Sequence, residues 1–113
     1  MVTMYGIPNC DTVKKARVWL ERHQISYRFH DYKKDGIEAA LLKRWCAELG
    51  HDQVLNRRGT SWRKLSEAER SDVNAAKAVS LMLANPSLIK RPLLDTGSKL
   101  LLGFSEDSYR SLQ

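Results

Sequence analysis

A change of hydrophobic period within the first 32 residues constrains this chain more than any other feature. Val2-Thr3-Met4-Tyr5-Gly6 is a short apolar run that reads as a strand. Ile7-Pro8-Asn9-Cys10 follows as a loop, because Pro8 has no N–H for a ladder. From Asp11 to about Arg22, Val13, Ala16 and Leu20 recur at helical spacing with Trp19 beside them. Ile25, Tyr27 and Phe29 then alternate with Ser26, Arg28 and His30, the period of a half-buried strand. Strand, helix and strand in so short a span predict a βαβ unit with a right-handed crossover.

The pattern changes between residues 36 and 85. Asp35 and Glu38 have capping-box spacing, and Leu42, Trp45, Cys46 and Leu49 follow at helical intervals up to Gly50. Asn56-Arg57-Arg58-Gly59-Thr60 is a basic polar loop, and Ser66 with Glu69 forms a second candidate box. Ala75 to Ala84 predicts a helix stopped by Asn85-Pro86. Strand character returns in Leu93-Leu94 and Lys99 to Leu102, separated by the turn residues Asp95-Thr96-Gly97-Ser98, so a hairpin is expected. Ser105 is placed to cap a closing helix. The expected architecture is a single α/β domain over residues 1–113. A four-stranded mixed sheet is built from the βαβ unit and the hairpin, and residues 36–85 form an inserted helical lobe.

The chain has 113 residues, enough to bury a core without disulfides or a structural metal. No apolar run approaches the ~20 residues of a membrane span, and no signal-peptide pattern opens the sequence. With two cysteines, Cys10 and Cys46, a reducing cytoplasm is the expected compartment. The net charge of +6 favours anionic partners, but no nucleic-acid-binding motif accompanies it, so nucleic acid is not the expected partner.

The two cysteines stand in opposite settings. Cys46 lies on the apolar face of a helix between Trp45 and Leu49, where an inert core thiol is expected. Cys10 ends a loop and precedes a helix, among the polar residues Asn9, Asp11 and Thr12. The first N–H groups of a helix lack intrahelical partners and carry partial positive charge, which favours thiolate over thiol. Lys14 and Lys15 add to that potential. A thiolate is the nucleophile of disulfide exchange. Arg57-Arg58 and Lys90-Arg91-Pro92 sit at element boundaries, and arginine's planar fork suits carboxylates and oxyanions.

Together, Tyr5-Gly6-Ile7-Pro8-Asn9-Cys10-Asp11-Thr12, Asn56-Arg57-Arg58-Gly59 and Leu88-Ile89-Lys90-Arg91-Pro92-Leu93 resemble the ArsC/Spx group of thioredoxin-like proteins, in particular its short YffB-type branch. The resemblance implies a thioredoxin-like (glutaredoxin-like) fold, with Cys10 as nucleophile, Arg57 and Arg91 lining an anion site, and Pro92 as a cis-proline facing the cysteine. Three departures stand out. The group's arsenate reductases have a histidine where this chain has Gly6. Their third site arginine falls near Leu102-Gly103-Phe104, where this chain has none. Spx proteins carry a Cys-x-x-Cys pair where this chain has Val13.

Without a neighbouring resolving cysteine, a mixed disulfide at Cys10 needs an external thiol. The leading expectation is therefore a glutathione-dependent thiol/disulfide oxidoreductase. Cys10 is its catalytic residue, and Asn9, Thr12, Arg57, Arg58, Arg91 and Pro92 are its candidate substrate- or anion-binding residues. Glutathione is the expected co-substrate, with no metal or bound cofactor, and the chain is expected as a monomer. The alternatives are an arsenate reductase coupled to glutathione or glutaredoxin, and a Spx-like RNA polymerase-binding regulator without catalysis.

Overall fold

The computed structural model describes all residues, 1–113. The chain divides into two compact units, one of Met1–Gly36 and Arg91–Gln113, the other of Ile37–Lys90.

The first unit holds strand β1 (Val2–Gly6), helix α1 (Asp11–Arg22), strand β2 (Tyr27–Asp31) and the single-turn helix α2 (Tyr32–Asp35). β1 pairs in parallel with β2, in a register that sets Met4 against Phe29. After the second unit come the strands of the hairpin, which we number β3 (Leu93–Asp95) and β4 (Leu100–Leu102). β3 runs antiparallel to both β1 and β4, so the mixed sheet has the order β2-β1-β3-β4. This is the thioredoxin-like α/β arrangement. In the hairpin turn the Gly97 N–H donates to Asp95 Oδ1 at 2.8 Å, and Gly97 takes a φ of 93°, which a residue with a Cβ resists.

Side chains alternate across the sheet, and one face supplies the core of this unit. Met4 and Leu94 bury with Val13, Ala16, Trp19 and Leu20 of α1 and with Tyr109. Arg17 ties α1 to β2: its Nε donates to the Tyr27 hydroxyl at 2.9 Å, and its guanidinium lies 4.3 Å from the Phe29 ring centroid.

Two local expectations are corrected. β2 begins at Tyr27 rather than Ile25 because α1 ends in a Schellman motif. Gln24 is left-handed (φ 55°), its N–H donates to Glu21 O, and the Ile25 N–H donates to Leu20 O. Ile25 thus closes the helix instead of opening the strand. The Asp35–Glu38 box does not form either. Asp35 Oδ2 turns back to accept the Asp31 N–H, while Asp31 caps α2 by accepting from the Lys33 N–H. The next helix starts later, with Glu38 as an N-cap that makes no side-chain bond.

The second unit contains α3 (Ala39–Leu49), α4 (His51–Val54), α5 (Thr60–Arg63), α6 (Glu67–Arg70) and α7 (Ala75–Ala84), followed by a 3₁₀ turn at Pro86–Leu88. Gly50 (φ 93°) ends α3, as its position predicts. Both halves of the Ser66–Glu69 capping box are made, and α7 spans the predicted residues with Asn74 as its cap. α3 packs against α4 and α7, burying Leu42, Trp45, Ala78, Val79 and Met82. Segments 54–56 and 88–90 are stitched together by a Leu55–Ile89 bridge, by Asn56 N–H to Leu88 O (2.7 Å), and by Lys90 N–H to Val54 O (2.8 Å).

The chain closes in the first unit with α8 (Glu106–Arg110), where the Ser105 side chain caps by accepting from the Ser108 N–H. No helix is long and apolar enough to cross a membrane.

Candidate active site

Cys10 is the N-cap residue of α1. Its backbone is extended (φ −144°, ψ 125°), and its carbonyl accepts the first intrahelical bond from the Lys14 N–H at 2.9 Å. No side chain caps the helix. The Cys10 thiol is therefore the side chain at the orphan N–H donors of a 12-residue helix. It is half-buried and borders the core cluster of this unit. The surrounding charges are mixed, with Asp11 in the first turn opposing the exposed Lys14 and Lys15. Asn9 and Thr12 flank the cysteine and are both exposed.

The other thiol is sequestered. Cys46 is buried in α3, and burial pushes its pKa up, so it is held as the less nucleophilic thiol form. Both cysteines are free.

Gly6 joins the pieces around Cys10. It is buried at the end of β1, where a Cβ would lie 3.0 Å from Val13 Cγ2, 3.7 Å from Arg91 Cβ and 3.9 Å from Phe29 Cε1. The strand end, the first turn of α1 and the base of the Arg91 side chain thus close on one point, and only a residue without a side chain fits there unchanged. A histidine, which the resemblance places here in arsenate reductases, has no room unless Val13 moves. Arg91 is half-buried, and its peptide bond to the buried Pro92 is cis. The Pro92 carbonyl accepts from the Gly103 N–H at 2.8 Å.

An aromatic cluster near Arg91 was not foreseen from the sequence. Tyr5 stacks with Tyr32 (centroids 6.4 Å apart), and His30 packs on Tyr5 at 4.9 Å. Burial raises the Tyr32 pKa, as does neighbouring Tyr5, while the Arg91 guanidinium opposes them. The available signal was alternation, since Tyr5 and His30 are cross-strand partners on the sheet face opposite Met4.

Arg57 and Arg58 belong to the second unit. Arg57 Nη2 donates to Asp52 Oδ1 at 2.9 Å, and its guanidinium lies 5.2 Å from the Trp62 ring centroid. An anion reaching Arg57 must therefore compete with a carboxylate already in place. Arg58 is exposed; its N–H donates to Asn56 Oδ1, and its carbonyl accepts from Arg63. No cluster of three or more histidine, cysteine or carboxylate side chains is placed to hold a metal ion.

Comparison with known proteins gives the same reading of the architecture. The ArsC family profile matches residues 5–112. An uncharacterized protein of Haemophilus influenzae is 42% identical over 111 residues, covering 98% of this chain and 97% of that protein. The global transcriptional regulator Spx of Listeria innocua is 30% identical, covering 97% of this chain and 85% of its own length. Among solved structures, the YFFB (PA3664) protein superposes with a TM-score of 0.96 at 54% identity, covering 98% of this chain and 97% of that one. An arsenate reductase (ArsC) related protein from Brucella melitensis gives a TM-score of 0.79 at 55% identity, covering 97% and 92%.

Proposed function

Because the chain belongs to the ArsC family, we propose that it is a thiol/disulfide oxidoreductase that works through one cysteine, Cys10, with glutathione as co-substrate. The observation that carries the proposal is the contrast between the two thiols: one half-exposed at the uncapped head of α1, the other buried in a helical core. With Val13 three residues on, no internal thiol stands at Cys-x-x-Cys spacing to resolve a disulfide formed at Cys10.

The chemistry has two exchanges. The Cys10 thiolate attacks the glutathione sulfur of a mixed disulfide between glutathione and a substrate thiol. That S–S bond breaks, the substrate leaves as a thiolate and takes up a proton, and Cys10 carries the glutathione. A second glutathione, having lost its proton, attacks the glutathione sulfur held on Cys10. Oxidised glutathione leaves and the Cys10 thiolate is regenerated. The substrate disulfide is reduced and glutathione is oxidised. Attack is in line at sulfur and needs no metal or bound cofactor. A glutaredoxin can take the place of the second glutathione.

Arg91 and Pro92, beside Gly6 and the first turn of α1, hold the incoming molecule next to Cys10, with Asn9 and Thr12 lining its approach. Arg57 is already paired with Asp52, so a carboxylate that engages it must exchange for that partner. The test is glutathione-dependent reduction of a glutathionylated peptide. Wild type and Cys46→Ser should turn over, and Cys10→Ser should not. Equal activity of Cys10→Ser and wild type would overturn the proposal.

Similarity to Spx supports a second reading, in which the same fold is a protein-binding regulator. That reading predicts a cellular phenotype retained by Cys10→Ser. Similarity to an arsenate reductase related protein supports arsenate as the oxidant at the same cysteine, and an arsenate arm in the turnover assay separates the two substrates.

A further inference from the structure

A groove of about 540 Å³ lies between α1 and α8, within the first unit, and the thiol chemistry does not use it. Its size falls within the ~300–1,000 Å³ range of small-molecule sites. Lys14 and Lys15 stand at one end, one helical turn beyond Cys10. Arg22 and His23 stand about 12 Å further along the helix.

The charges do not balance. Lys14, Lys15 and Arg22 make no ion pair and Arg110 is held by Asp107, so Glu106 is the one unpaired carboxylate side chain in the lining, with Asp11 of the first turn the nearest acidic group to the two lysines. The apolar part is also specific. Trp19 and His23 stack with centroids 3.9 Å apart and planes 22° from parallel. The His23 Nδ1–H donates to the Trp19 carbonyl at 2.8 Å, which fixes the imidazole and leaves Nε2 unengaged. Phe104 forms another part of the wall, held edge-on against Tyr109. Val18, 44% exposed, lies off the core-facing stripe of α1 and lines the same groove.

We propose that this groove binds a small anion carrying a flat heteroaromatic ring, a ligand of the nucleoside monophosphate class. The ring lies at the His23–Trp19 end beside Arg22, and the phosphate lies between Lys14 and Lys15. Fixed aromatic surface at one end and unpaired ammonium groups at the other match the two ends of such a molecule. A bare oxyanion leaves the aromatic end empty, and an uncharged nucleoside leaves the lysines unpaired.

The experiment is a two-dimensional amide and indole NMR titration of the Cys10→Ser protein with adenosine monophosphate at low ionic strength, with adenosine and ribose 5-phosphate as half-ligands. Without the Cys10 thiol, the outcome does not depend on the oxidoreductase reading. Saturable shifts should centre on the Trp19 indole N–H, His23 and Phe104, and each half-ligand should bind several-fold more weakly. Lys15→Gln should weaken binding about two- to fivefold, as expected for loss of one exposed ionic contact. Lys43→Gln, exposed on α3, should leave it unchanged. Three results would each overturn the proposal. One is no saturable shift in the groove. Another is binding of ribose 5-phosphate as tight as that of adenosine monophosphate, with shifts at lysines over the whole surface. The third is selective binding of a glutamate-rich peptide where the nucleotide fails.

Discussion

Gly6→Ala tests the close approach on which the site depends. The added Cβ falls 3.0 Å from Val13 Cγ2, well inside van der Waals contact, while its distances to Arg91 and Phe29 are ordinary. Val13 is fully buried and β-branched, so its χ1 is stiff in a helix and cannot swing aside. The first turn of α1 must then move by a few tenths of an ångström. Overpacking of this kind costs about 1–3 kcal/mol. Alanine restricts the unfolded chain relative to glycine and returns about 0.4–1 kcal/mol, leaving a net loss of roughly 0–2.6 kcal/mol. Val13→Ala alone also destabilises, because it opens a cavity. In the double variant the new methyl enters that cavity, so the two losses should fall short of their sum by about 1 kcal/mol or more. Urea unfolding of the four proteins measures this coupling. Alkylation of Cys10, one turn from Val13, should change in Gly6→Ala and recover in the double variant. Additive losses within about 0.5 kcal/mol, or a more stable Gly6→Ala, would mean that Val13 is not what the added methyl meets.

Tyr109 is fully buried and its hydroxyl has no hydrogen-bond partner, so Tyr109→Phe should be neutral at pH 7 or stabilise by up to about 1–3 kcal/mol in urea unfolding. Burial raises the Tyr109 pKa above its ordinary value of 10.0. Its contribution is therefore complete below pH 10 and is lost above it, as the unfolded tyrosine ionises first; Tyr109→Phe should lose less stability than wild type above that pH. Hydrogen bonds from the Ser66 backbone and side chain hold the Glu69 carboxyl below its usual range. The box should hold at neutral pH and fail as pH falls through that lowered value, with amide exchange of Glu69 and Arg70 speeding up there and, at neutral pH, in Ser66→Ala. Arg91→Ala should weaken glutathione binding about 10- to 100-fold by calorimetry, with only partial rescue in Arg91→Lys, which keeps the charge but not the planar fork. Arg70→Ala, exposed on α6, should match wild type.

Signals contained in a few consecutive residues were readable before folding was considered. Asn85-Pro86 ends α7 where it should, Ser66 and Glu69 cap each other, Ser105 caps the last helix, and Asp95-Thr96-Gly97 turns the hairpin. The same holds for Cys10 at the head of α1, where strand, proline loop and helix follow in order. Features that depend on distant partners left no such trace. Asp35 has good capping spacing to Glu38, but Asp31 claims it. Gln24 reads as a loop residue until its left-handed backbone closes α1 and takes Ile25 out of β2. Arg57 reads as an open anion ligand until Asp52, five residues earlier, pairs with it. The Gly6–Val13–Arg91 approach and the α1–α8 groove join residues far apart in the chain, and neither has a period to detect.

If Cys10 is the thiol through which this protein acts, it is the one that glutathione should modify. The most direct measurement is whole-protein mass spectrometry after exposure to oxidised glutathione, with peptide mapping of the adduct and release by reduced glutathione. A single glutathione is expected on Cys10, removed by reduced glutathione and absent in Cys10→Ser, with Cys46 unmodified in the folded protein. An adduct that maps to Cys46, or a folded protein that takes up no glutathione at Cys10, would contradict it.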